Sequence, residues 1–187
     1  MQFTQIQRTL AIQAMEEAEQ HTTRYYCIPP HRWEKLHFDL LTRQDQEWEP
    51  LPETALARVR CLIRPAFQRL APYDFYRIEL NDPLIMEAAE RTDLTSDFYH
   101  LLVYILTHEM VHLVRLSSIL KDPLQGRKFR EFEEQRVQRI CHQILTGLSK
   151  FHPVLQRFRI DPAAIMNGDV PPVHLTANRE TGETSPF

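Results

Sequence analysis

From Phe98 to Leu116 the chain is almost wholly apolar, yet His108, Glu109 and His112 stand in that stretch with the spacing H-E-x-x-H. On a helix, positions i and i+4 share a face, so the two imidazoles project side by side and the carboxylate lies on a neighbouring azimuth. Thr95, Ser96 and Asp97 supply N-cap groups just ahead of the run. Leu101, Ile105, His108, His112 and Leu116 stack along one stripe. Both histidines are therefore expected to face inward. A lone histidine on an apolar face is usually a hydrogen-bonded core residue. Two of them bracketing a glutamate differ, because burying all three without a partner is costly and a divalent cation such as Zn2+ removes most of that cost.

A zinc site of this kind needs a third protein ligand and keeps its fourth position open. After Leu120 the segment from Lys121 to Gly126 has turn chemistry, and a second helical pattern runs from about Lys128 to Leu148. Its inner stripe is Val137, Ile140, Cys141, Ile144 and Leu145. Carried back three or four residues, that stripe meets Glu133 and Glu134, whereas Glu131 is rotated further away. Glu134 is favoured, on the line through Val137 and Cys141, with Glu133 close behind. For any one of these glutamates alone, a solvated acidic first turn complementing the helix dipole is the simpler account.

An HExxH helix followed by an inward-facing glutamate on the next helix resembles the gluzincin metallopeptidases, in particular their minimal members. The resemblance covers roughly Asp97 to Leu145. It implies that His108, His112 and Glu134 bind zinc, that Glu109 is the general base for attack of water on a peptide or amide carbonyl, and that the substrate is a peptide or protein. It further implies substrate backbone lying along a sheet edge, for which the segment Asp74 to Leu80 is the one to look for. Gln135 stands where many such enzymes have a small residue, and no transition-state stabiliser announces itself. Tyr73, Tyr76 and His142 are conceivable donors, but packing roles for the tyrosines and a solvent-facing helix position for His142 are simpler. The subgroup with a third histidine is excluded by Arg115 and Ser118 at its glycine and histidine positions. A second functional class also fits the motif: a non-catalytic, metal-stabilised helical module that binds a partner.

The remaining histidines, His21, His31, His37, His100, His152 and His174, have no ligand spacing and are expected at the surface or in packing. With 187 residues the chain suits one domain, here read as 1–150, with a Pro-rich polar tail over 151–187. A segment of that tail lying across the metal cleft, with His174 near the site, is a minor alternative. The net charge of -3 offers no basic surplus for nucleic acid or an anionic membrane. Cys27, Cys61 and Cys141 lack metal or redox spacing and read as reduced, buried thiols. Met1 to Gln20 does not resemble a signal peptide and no stretch reaches membrane-spanning length, so a cytoplasmic location is expected. Nothing in the sequence sets an oligomeric state.

The fold class expected is mainly α (α+β): a helical domain with a small β element, the HExxH helix and a ligand-bearing helix after it. Phe3, Ile6, Leu10, Ala14 and Ala18 predict an N-terminal helix ending near His21. Arg24 to Ile28 reads as a short extended piece, and Trp33, Leu36, Leu40 and Leu41 as a helix. Arg58, Arg60, Arg64 and Arg69 interleave with Leu56, Val59, Leu62, Ile63 and Phe67, which predicts the wet side of an amphipathic helix from about Glu53, interrupted near Pro65. Asp74 to Leu80 alternates as a strand, to be paired with Arg24 to Ile28 or another segment. Asp82 as N-cap and Pro83 in the first turn open a short helix to about Arg91.

Overall fold

A computed structural model describes residues 2–64, 73–117, 130–158 and 178–179. It is mainly α with a small β element. The elements are α1 (Gln5–Tyr25), α2 (Pro30–Trp33), β1 (His37–Leu41), β2 (Ala57–Arg64), β3 (Tyr73–Leu80), α3 (Asp82–Arg91), α4 (Phe98–Leu116), α5 (Arg130–Thr146), a 3-10 turn (Ser149–Phe151), α6 (His152–Arg157) and β4 (Asn178–Arg179).

Helix α1 opens with a capping box, in which the Thr4 hydroxyl accepts from the Gln7 amide and the Gln7 side chain accepts from the Thr4 amide. It buries Ala11, Ala14, Met15, Ala18 and Thr22. That face is rotated from the expected stripe, leaving Ile6 75% exposed. The small side chains let α1 pack closely along α4. The helix runs past His21 to Tyr25 and closes in a Schellman motif: the Ile28 amide donates to Thr23 O at 2.9 Å and Cys27 takes φ 50°. Arg24 to Ile28 is thus a helix end rather than an extended piece, and Cys27 is exposed rather than buried.

Two further segments depart from their sequence reading. Trp33 ends the four-residue α2, and Leu40 and Leu41 lie in strand β1. The arginine segment is strand β2, not a helix. Its governing period is two: Ala57, Val59 and Cys61 enter the core, while Arg58 and Arg60 take the opposite face and are only 9% and 6% exposed. Polar atoms on that face have partners, so arginine there does not signal water. Arg58 Nε donates to Glu79 at 2.9 Å, Arg60 pairs with Glu49 at 2.6 Å, and Arg77 pairs with Asp39 at 3.0 Å and with Glu47. The connection after β1 lies over this layer, with Trp48 Nε1 donating to Leu80 O at 2.8 Å.

The sheet order is β1-β3-β2-β4, with β3 antiparallel to β2 and parallel to β1. The expected strand Asp74 to Leu80 is thus β3, paired with β1 and β2, and it is interior. It cannot be the substrate edge, since both its ladders are taken from Phe75 to Glu79. The inner face, with Val59, Cys61, Tyr76, Ile78 and Leu80, belongs to the core together with α1 and α4.

Helix α3 starts as expected, but Asn81 is its N-cap. The buried Asp82 carboxylate instead accepts from the Phe3 amide at 3.0 Å and the Arg43 amide at 3.2 Å, tying three distant segments together. The packed body continues beyond 150, because Phe151, Val154 and Leu155 join the core. Within 159–187, which includes His174, only Asn178–Arg179 lies among the described residues, and it pairs in parallel with Arg60 and Cys61 of β2. Among the described residues no helix is long and apolar enough to cross a membrane.

Candidate metal centre

Helix α4 is apolar nearly all round because it is enclosed nearly all round. Every residue from Leu101 to Val114 is buried, with neighbours in α1, β2, α5 and α6. His108 and His112 share the face that meets α5, and their ring centroids lie 4.8 Å apart. Helix α5 runs back along α4 with Val137, Cys141 and Leu145 fully buried. Its first turn brings Glu134 to the histidines.

The three side chains converge. His108 Nε2 lies 3.1 Å from His112 Nε2 and 2.9 Å from Glu134 Oε1, and His112 Nε2 lies 3.1 Å from Glu134 Oε2. His108 and His112 are 1% and 4% exposed. Hydrogen bonding alone serves this cluster poorly. If both Nε2 atoms carry protons, each donates to Glu134, but the two donors then face each other across 3.1 Å. If one is bare, its lone pair faces a carboxylate. A cation accepts from all three, and two imidazole nitrogens with one carboxylate are a donor set suited to zinc, whose ligand atoms stand about 3.3 Å apart in a tetrahedron of about 2.0 Å bonds. The observed separations are close to that.

Electrostatics leave the donors in the form a cation needs. Burial pushes the His108 pKa below its ordinary 6.5, outweighing the pull of Glu134, so the imidazole is neutral at pH 7. Burial alone would raise the Glu134 carboxyl, but the charge that His108 and His112 carry when protonated, together with their hydrogen bonds, brings it down to about 2. Glu109 is in a different state. It is fully buried, neither carboxylate oxygen has a hydrogen-bond partner, and burial, with the Glu134 charge added, pushes its pKa well above 4.5. His108 Nδ1 is also buried without a partner.

Of the other candidates, Glu133 turns to Arg115, with Nη2 to Oε2 at 2.9 Å, and the Glu131 side chain lies outside the described residues. Tyr73 is 46% exposed and Tyr76 is buried in the sheet core. His142 is not solvent-facing: it is half-buried, its Nε2 is 3.2 Å from Phe158 O, and its ring meets Tyr104 edge-on. Two neighbours of the site escaped sequence reasoning. Tyr104, 2% exposed, precedes His108 by one turn and stacks on Phe158 at 5.1 Å. Arg115, one turn beyond His112, was visible as a lone cation in an apolar helix. Comparison with protein-family models, with curated proteins and with solved structures returns no match.

Proposed function

We propose that the protein is a zinc-dependent peptidase in which His108, His112 and Glu134 hold the metal and Glu109 is the general base. The observation that carries this reading is the convergence of two buried Nε2 atoms and one carboxylate within 3.1 Å of one another, from an HExxH helix and the helix after it. A zinc ion bound there supplies Lewis acidity for a peptide carbonyl and lowers the pKa of a coordinated water towards about 7. Glu109 lies within the field of Glu134 but is not part of the ligand cluster. It takes a proton only when ionised, and positive charge beside it offsets the burial that otherwise keeps it protonated. Once ionised, it can accept a proton from the attacking water and, protonated by that transfer, deliver it to the leaving amine. The substrate class is a peptide or protein.

A second reading has its own observation. The unpartnered, fully buried Glu109 carboxyl suits a closed structural centre, in which zinc joins α4 to α5 and no reaction occurs. Glu109→Gln separates the two. In a peptidase this variant retains zinc and fold but loses about a hundredfold or more of its turnover of a peptide substrate. Equal turnover in both proteins, at equal zinc content, would refute the catalytic reading.

A further inference from the structure

The first turn of α5 presents two adjacent carboxylates, Glu133 and Glu134, and by composition either could be the ligand. Successive helical residues differ by about 100° in azimuth, so the two flank the line that faces α4. Each has a different partner. Glu134 meets His108 and His112. Glu133 accepts from both Nε and Nη2 of Arg115, the second at 2.9 Å. Arg115 follows His112 by three residues, almost one turn further along the same side of α4. Its side chain is 10% exposed and that of Glu133 34%, so water reaches the carboxylate end of the pair and screens it in part.

We propose that Arg115 selects Glu134 as the metal ligand, by holding Glu133 in a two-pronged pair outside the imidazole cluster and so setting the rotation of α5 against α4. This rests on the metal reading above. The apolar contacts of Val137, Cys141 and Leu145 bind α5 to the core, but dispersion is non-directional and tolerates small rotations. A guanidinium fork matched to a carboxylate does not, because both hydrogen bonds must stay aligned. Without the fork, Glu133 becomes a second anion beside the cluster, competing with Glu134 for one cation. Arg115 is thus a positioning residue, acting on the metal through the helix that carries its ligand.

The test compares the full-length wild type with Arg115→Met, Arg115→Lys and the exchanged pair Arg115→Glu/Glu133→Arg. Three quantities are read: zinc affinity by chelator competition, the visible absorption of the cobalt(II)-loaded protein, and amide hydrogen exchange of residues 133–137 without metal. Arg115→Met is expected to lower zinc affinity by about tenfold, the low end of what removing a direct outer partner of a ligand costs, since Arg115 acts through Glu133 and not on a ligand itself. It should also alter the cobalt spectrum and speed exchange in the first turn of α5. Lysine lacks the fork and should recover little, whereas the exchanged pair should return affinity towards wild type. Should Arg115→Met fail to fold, Glu133→Gln breaks the charged fork without leaving a competing anion, and exchange at 133–137 is then the deciding quantity: faster supports the fork, unchanged refutes it. A folded Arg115→Met with unchanged affinity, spectrum and exchange overturns the proposal. If the wild type binds neither metal, the zinc reading falls by itself, and exchange at 133–137 decides on the fork: faster in Arg115→Met supports it, unchanged refutes it.

Discussion

His108 and Glu134 are both depressed in pKa, for opposite reasons, and the difference sets how the centre answers to acid. Burial disfavours the His108 imidazolium, so its share of stability is complete above its ordinary 6.5 and drains as pH falls through its lower native value. Burial opposes the Glu134 carboxylate, but two imidazoles outweigh it. Its share is present above the ordinary 4.5 and is lost only as pH approaches about 2. Zinc retention runs the same way, since protons and metal compete for the same lone pairs. Zinc content after dialysis should therefore be constant above about pH 7 and decline as the pH is taken below about 6.5. His108→Ala and His112→Ala should lose zinc at every pH. Elemental analysis across the series checks both, and wild-type zinc in the alanine variants would remove these residues from the metal.

Strand β2 shows how a single element can mislead. Its arginines read as a wet helix face because charge on a surface is the usual case, yet Arg58 and Arg60 are buried against Glu79, itself 0% exposed. Breaking one member of such a pair strands the other charge in the interior. Glu79→Gln should cost about 3 to 5 kcal/mol in urea unfolding, and the double variant Arg58→Met/Glu79→Leu should cost less than Glu79→Gln alone. A loss below about 1 kcal/mol for Glu79→Gln would mean that water reaches this layer. Helix ends were hidden for a related reason. The chain has only four glycines, and α1 runs past its expected end to stop before Cys27, whose positive φ is held by Schellman hydrogen bonds rather than announced by glycine. By contrast β3, α3, α4 and α5 were legible within a few residues, because each carries a clear period bounded by Pro, Asn or Asp.

The whole molecule closes further along the chain than its composition suggests. The 3-10 turn and α6 bring Phe151, Val154 and Leu155 into the core beside α4 and α5. A chain cut after Phe158 should keep its fold, with a modest loss from the β4 ladder. One cut after Lys150 loses three buried apolar side chains and should melt far lower, since each is worth about 2 to 3 kcal/mol. Thermal melts of the two truncations decide it, and equal melting would place 151–158 outside the stabilising core. Sequence alone determined the paired imidazoles and the inward glutamate turn, because helical period is a local property of the backbone and recurs wherever the side-chain pattern does. Only the tertiary structure decided which glutamate meets the histidines, which strand lies inside the sheet and which arginines are dry. Those outcomes depend on partners far apart in the chain, such as Arg115 with Glu133 and Arg58 with Glu79, and no local pattern encodes which surface a distant segment will cover.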